Sequence, residues 1–245
     1  MQTVINGVLT NYEVVNPKAK SPVVILHGWR QNASLWLPLA KLLPEDHGYY
    51  LLDLPGFGGT KNLAANSNVP EYTTFVRDFT DKLKLKNFVL LGHSFGGQVA
   101  CDFALKYPKL VSRLVLVDAA VIRHETPTTT LIKSLAKLFK PISQILPINL
   151  INQIHEKIAH DYSHSNDYQK SVLRQIINYD LSSELHLIKV PTEIIWGSED
   201  KVIPYVGKYL VENISDARLH VIYGANHSPH LTHPQRLADI LCKIL

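Results

Sequence analysis

The chain has 245 residues, 46% of them apolar, and a net charge of +4 from 25 Lys and Arg against 21 Asp and Glu. That length can bury one large core, the charge is too small and too scattered for a nucleic-acid surface, and no apolar run reaches membrane-spanning length. Two distant cysteines, Cys101 and Cys242, lack metal-ligand spacing and suit reduced thiols in a cytoplasmic protein, and Met1 to Gly7 lacks the basic and apolar parts of a signal peptide.

In chain order, Thr3–Ile5 and Val8–Val15 flank Asn6-Gly7, a hairpin signal that predicts two antiparallel strands. Val23–Leu26 is a short apolar run, hence a buried strand, and ends in His27-Gly28-Trp29. Ser34–Leu43 reads as a helix with Leu35, Leu39, Leu42 and Leu43 on one side. Tyr49–Leu52 is another strand, followed by the glycine-rich loop Asp53-Leu54-Pro55-Gly56-Phe57-Gly58-Gly59. Tyr72–Leu85 is a helix burying Phe75, Phe79 and Leu83. Phe88–Leu91 is a strand, and Val99, Ala100, Phe103, Ala104 and Leu105 repeat at helical spacing after it. Leu114–Val117 is a strand ending at Asp118. From Val121 to about Lys189 the patterns are helical, broken by Pro127, Pro141 and Pro147. Then Thr192–Trp196, Tyr205–Asn213, Leu219–Tyr223 and Pro234–Leu245 read as strand, helix, strand, helix. This alternation predicts an α/β fold, a mostly parallel sheet with helices on both faces, interrupted by an insertion at 121–189.

The chemistry centres on Gly92-His93-Ser94-Phe95-Gly96, which fits G-x-S-x-G between a buried strand and an amphipathic helix. A turn this tight needs small residues around Ser94 and presents the Phe95 N–H at a helix start. A serine hydroxyl becomes a nucleophile when a base takes its proton and a third group orients the base. His227 follows the Leu219–Tyr223 strand and is the candidate base, with His230 and His233 as rivals nearer the last helix. Asp200 follows the Thr192–Trp196 strand and is the candidate acid. Glu199 is adjacent to it, and Asp118 is the alternative at the neighbouring strand end. The order Ser94, Asp200, His227 is the one expected for this site. Main-chain N–H groups of Phe95 and Trp29 are the candidate oxyanion donors. His27 is read as shaping its turn, and the loop after Asp53 lacks the frame of a phosphate cradle.

His27-Gly28-Trp29, the Asp53–Gly58 loop, the Gly92–Gly97 elbow, Asp200 and His227 together resemble the serine hydrolases of the α/β-hydrolase superfamily. Asn32, Trp36 and His230-Leu231-Thr232-His233-Pro234 are similar to the small carboxylesterases that include the pimeloyl-carrier-protein methyl ester esterases. The resemblance implies the α/β-hydrolase fold, with residues 1–120 and 190–245 as the core and 121–189 as a small helical cap. It also implies hydrolysis of carboxylic esters by an acyl-enzyme route that needs no metal or organic cofactor. A Ser nucleophile sets the chain apart from haloalkane dehalogenases, and Ser228 after His227 sets it apart from carbon–carbon bond hydrolases.

The insertion has an apolar side, Leu131, Leu135, Leu138 and Phe139, and a basic one, Lys133, Lys137 and Lys140. The apolar side predicts a small-molecule ester with an apolar acyl or alcohol group. The basic side is read first as a solvated face and second as a contact for an acyl carrier or a membrane surface. A thioester, lactone or amide substrate, or a ligand-binding module with vestigial hydrolysis, is the alternative function.

Overall fold

The computed structural model describes residues 1–122 and 163–245. Leu131, Leu135, Leu138, Phe139 and the three lysines of the basic side lie outside these described residues, as does most of the 121–189 segment.

Eight strands form one sheet: β1 (Gln2–Ile5), β2 (Val8–Val15), β3 (Ser21–Leu26), β4 (His47–Leu52), β5 (Phe88–His93), β6 (Val111–Val117), β7 (Thr192–Gly197) and β8 (Ala217–Ile222). Their order is β1-β2-β4-β3-β5-β6-β7-β8. The β1–β2 and β2–β4 pairs are antiparallel and every later pair is parallel. Asn6 and Gly7 both take positive φ, as the hairpin signal requires.

Strand side chains alternate between two cores because the strand period is two. Val24, Leu26, Leu90, Leu114, Leu116, Ile194 and Trp196 pack on one face. Val23, Ile25, Val89, Leu91, Val115, Val117 and Ile195 pack on the other. Near-continuous apolar runs are the mark of strands covered on both sides. The second face is closed by α1 (Leu37–Ala40) and the last helix of the chain, through Trp36, Leu39, Leu237 and Leu241. The first is closed by α2 (Val69–Lys82) and α3 (Phe95–Lys106), through Phe75, Phe79, Val99 and Phe103. Among the described residues the other α-helices are α4 (Asp167–Ile176), α5 (Gly207–Asn213), α6 (Pro229–Thr232) and α7 (Pro234–Ile244).

Two elements differ from their sequence reading. The Ser34–Leu43 helix is a 3-10 turn, Ala33–Trp36, followed by the four-residue α1. Pro38 has no N–H to bond back one turn, so the helix restarts there, and Leu42 is left exposed. Helix α2 begins three residues before Tyr72, because Glu71 reaches back to the Asn68 N–H at 2.8 Å and Pro70 occupies the first turn.

The described end of the insertion joins the main core: Val172, Leu173, Ile176, Leu181, Leu185 and Ile188 are buried in the first-face cluster with Val121 and Ile122. Gln98 of α3 donates to the carbonyls of Ile176 (3.2 Å) and Tyr179 (2.7 Å). Among the described residues no helix is long and apolar enough to cross a membrane.

Candidate active site at the C-terminal rim of the sheet

Parallel strands deliver their loops to one rim, and Ser94, Asp118, Asp200 and His227 all follow strands that end there. Ser94 sits between β5 and α3 with φ 52° and ψ −115°, a conformation that costs a non-glycine residue on the order of 1–3 kcal/mol. The surroundings hold it there. The Ser94 N–H donates to Val117 O at 3.0 Å, and the Ser94 carbonyl accepts from Gln98 (3.1 Å) and Ala120 (3.1 Å). A Cβ on Gly92 would collide with the carbonyl of Gly96, and one on Gly96 with the carbonyls of Leu26 and His27. The two glycines allow the limbs of the elbow to touch.

His227 lies in the loop between β8 and α6. Its Nε2 is 3.0 Å from Ser94 Oγ and its Nδ1 is 2.8 Å from Asp200 Oδ2. A neutral ring that donates from Nδ1 to a carboxylate leaves Nε2 free to accept the serine proton. The Asp200 side chain is 1% exposed. Its Oδ1 accepts the N–H groups of Val202 (2.7 Å) and Ile203 (3.1 Å), so the turn after β7 fixes the carboxylate. The structure thus brings Ser94, His227 and Asp200 into one hydrogen-bonded chain across 133 residues.

The rivals make other contacts. Glu199 is exposed. His233 Nδ1 meets Thr232 Oγ1 at 3.0 Å. His230 is buried behind His227, stacked on Trp36 with centroids 4.1 Å apart and planes 9° apart. Asp118, fully buried at the end of β6, accepts the Gly197 N–H at 2.9 Å through Oδ1.

Phe95 opens α3, and Trp29 follows β3. Neither main-chain N–H is engaged in a hydrogen bond among the described residues. Their side chains form an aromatic wall: Trp29 meets Phe57 edge-on at 4.9 Å and Phe95 at 5.6 Å, and Tyr72 meets Phe95 at 5.0 Å. Tyr168 of α4 adds its hydroxyl, 3.0 Å from that of Tyr72, which donates in turn to Pro55 O.

The histidine before the first glycine acts on its own loop. His27 donates from Nδ1 to Gly28 O (2.8 Å) and accepts the Leu54 N–H at Nε2 (3.0 Å). Burial lowers its pKa to about 4 and keeps it neutral. Asp53 accepts from Ala33 N–H (2.6 Å), Gly59 N–H (2.8 Å) and Asn11 Nδ2 (2.9 Å), so it organises the loop instead of facing a ligand.

The role of His93 was not legible in the sequence, where it is only the variable position of the elbow. It is 1% exposed, and its Nε2 donates to the main-chain carbonyl of His227 at 2.7 Å. Its ring lies 5.0 Å from His227 and 4.8 Å from His230. Among the described residues no group of three or more His, Cys, Asp or Glu could hold a metal ion.

The comparisons bear on the family and the fold. A family model described as "Alpha/beta hydrolase family" matches residues 23–240. Human monoacylglycerol lipase ABHD6 is 27% identical over 257 residues, covering 94% of this chain and 76% of that protein. An uncharacterized hydrolase, YugF, from Bacillus subtilis is 26% identical over 252 residues, covering 95% and 91%. The solved esterase EaEST from Exiguobacterium antarcticum superposes with a TM-score of 0.77 at 23% identity, covering 98% of this chain and 96% of that one, a likeness of fold. With the family match running from β3 into the last helix and through all the rim loops, the chain belongs to the alpha/beta hydrolase family.

Proposed function

We propose that this α/β hydrolase cleaves carboxylic esters through an acyl-enzyme intermediate. Ser94 Oγ attacks the acyl carbon while His227 Nε2 takes its proton. Asp200 holds the Nδ1 tautomer and stabilises the imidazolium that forms. The N–H groups of Phe95 and Trp29 receive the developing oxyanion. The tetrahedral intermediate expels the alcohol, which collects the proton from His227. Water, deprotonated by the same imidazole, then attacks the acyl carbon and frees Ser94 and the acid. The observation that carries this reading is the single imidazole bonded to Ser94 on one nitrogen and Asp200 on the other.

The relatives are named as a monoacylglycerol lipase and an esterase, which supports an ester over other acyl bonds. The aromatic wall of Trp29, Phe57, Phe95 and Tyr72 suits an apolar acyl or alcohol group. The described end of the 121–189 segment, α4, brings Tyr168 against Tyr72 of that wall.

Steady-state hydrolysis of a short p-nitrophenyl ester tests the assignment. Ser94→Ala loses about 10³-fold or more in kcat, the scale of a lost nucleophile. A Ser94→Ala protein that folds and turns over at the wild-type rate removes Ser94 from the chemistry.

A further inference from the structure

We propose that Asp118 is a positioning residue: it stays in the acid form and donates its carboxyl proton to Asp200, fixing the carboxylate that orients His227. The inference rests on the reading of Asp200 given above.

Strands β6 and β7 run parallel with Val117 opposite Ile195, so the residues that follow them arrive at the same point of the rim. Asp118 is held there in a left-handed turn, φ 43°, with its N–H on Ile195 O at 3.0 Å. One carboxyl oxygen, Oδ1, accepts the Gly197 N–H at 2.9 Å. The other, Oδ2, is buried and receives no N–H or hydroxyl. Gly197 is bonded to both acids: its N–H goes to Asp118 Oδ1 and its carbonyl accepts the Asp200 N–H at 3.1 Å, which sets the two residues side by side. Two buried carboxylates facing each other are costly when both are charged, and one shared proton turns the repulsion into a hydrogen bond.

The proton count favours Asp118 as the donor. Asp200 accepts two main-chain N–H groups on Oδ1 and the imidazole N–H on Oδ2, three donors that hold it as the anion. A carboxylate has about four lone-pair sites, so one remains for Asp118. Asp118 has one N–H on Oδ1 and nothing that neutralises a charge. Burial first, and the adjacent Asp200 charge after it, push its pKa up to about 9. Asp200, from the loop after β7, is the ionisable group that bears on it. The other group on its carboxyl is the uncharged main-chain N–H of Gly197.

The consequence is mechanical and electrostatic. Asp200 is gripped by the β7 turn, by His227 and by Asp118, so it cannot rotate away from Nδ1. When alkali removes the Asp118 proton, the third grip becomes a repulsion and His227 loses its alignment.

The test compares Asp118→Asn and Asp118→Ala. Asn keeps a donor toward Asp200 and an acceptor for Gly197 but cannot ionise. Its kcat stays within about threefold of wild type at neutral pH, and the alkaline decline of wild-type kcat disappears. Ala keeps KM and loses about tenfold in kcat, a misalignment effect. If both variants match wild type and retain its alkaline limb, the proposal is overturned. Native electrophoresis at pH 7 reads the proton independently of activity. Asp118→Asn co-migrates with wild type, while Asp216→Asn, an exposed control, shifts by one charge. A one-charge shift in Asp118→Asn contradicts the proposal even where activity is lost. If wild type itself takes up no serine-directed label at Ser94, the ester-hydrolase reading fails instead, and the mobility result still decides the protonation of Asp118.

Discussion

His93 Nε2 donates to the main-chain carbonyl of His227 at 2.7 Å, so the residue immediately before Ser94 holds the backbone of the histidine that Ser94 faces. The bond ties the end of β5 to the loop after β8, 134 positions apart. It fixes the distance between hydroxyl and imidazole from behind, where no solvent competes. His230 and Trp36 back the His93 ring in turn, and the side-chain array continues into the core of the second face.

Removing that bond loosens the imidazole without touching its partners. His93→Phe keeps an aromatic ring of similar size and deletes the donor. The expected result is a fall in kcat of about 10–100-fold with KM nearly unchanged, the range for misplacing a catalytic group. Steady-state kinetics on a soluble ester measure it, and an unchanged kcat denies His93 the positioning role.

Acid should unfold the protein through its buried histidines. Burial lowers the pKa of His27 to about 4, that of His230 to about 3 and that of His93 well below the usual 6.5. In the unfolded chain each takes up a proton near pH 6.5, while the folded chain does not. The stability they contribute is therefore present above that pH and is lost as pH falls toward the folded values, by about 1.4 kcal/mol per pH unit per histidine. Both ring nitrogens of His230 are buried without a hydrogen-bond partner among the described residues. His230→Phe keeps the stack on Trp36 and removes the unpaired polar atoms. Its urea midpoint should exceed wild type, by more at pH 5 than at pH 8. A constant difference would mean that His230 does not titrate on unfolding.

Asp118 should act with the opposite sign. Its folded pKa, about 9, lies above the ordinary carboxyl value of 3.8. Between these values the folded state keeps a proton that the unfolded state releases, so stability is lost as pH rises across that window. Asp118→Asn has no such slope. Its stability relative to wild type should therefore grow from pH 5 to pH 9 in urea melts. Parallel curves for the two proteins would show that Asp118 is ionised when folded.

The elbow tolerates no added carbon. In Gly96→Ala the new Cβ would sit against the carbonyl oxygens of Leu26 and His27, which are main-chain atoms and cannot turn aside as a flexible side chain can. The expected cost is about 3 kcal/mol or more, at the upper end for an overpacked site, together with loss of esterase activity. Equilibrium urea unfolding reads the stability directly.

Much of the architecture was legible because strands covered on both faces leave short apolar runs, and each run in this chain stands between turn signals. Val24 and Ile25 show why: neighbours in sequence, they feed different cores. The meeting of Ser94, Asp200 and His227 was legible through chain order and strand ends alone. Less was readable where one residue changes a helix. Pro38 splits a continuous leucine pattern, and Asn68 with Glu71 starts α2 earlier than its apolar face suggests. His230 reads as a rival base in sequence, since a histidine near a strand end carries no mark of whether its ring turns toward the rim or into the core. The grip of His93 on His227 passes through a main-chain carbonyl, an acceptor every residue has, and so leaves no signature. Asp118 and Asp200 read as alternatives for one acid position because adjacent strands bring both there. The pairing of β6 with β7, and the bonds both acids make to Gly197, place them at neighbouring points of the rim.

The most direct measurement of the central claim is active-site labelling with a fluorophosphonate, followed by intact-mass and peptide mapping. One adduct on Ser94, absent from Ser94→Ala and formed far more slowly in His227→Ala, is the predicted result. A folded wild-type chain that stays unlabelled, or carries its adduct on another residue, would contradict it.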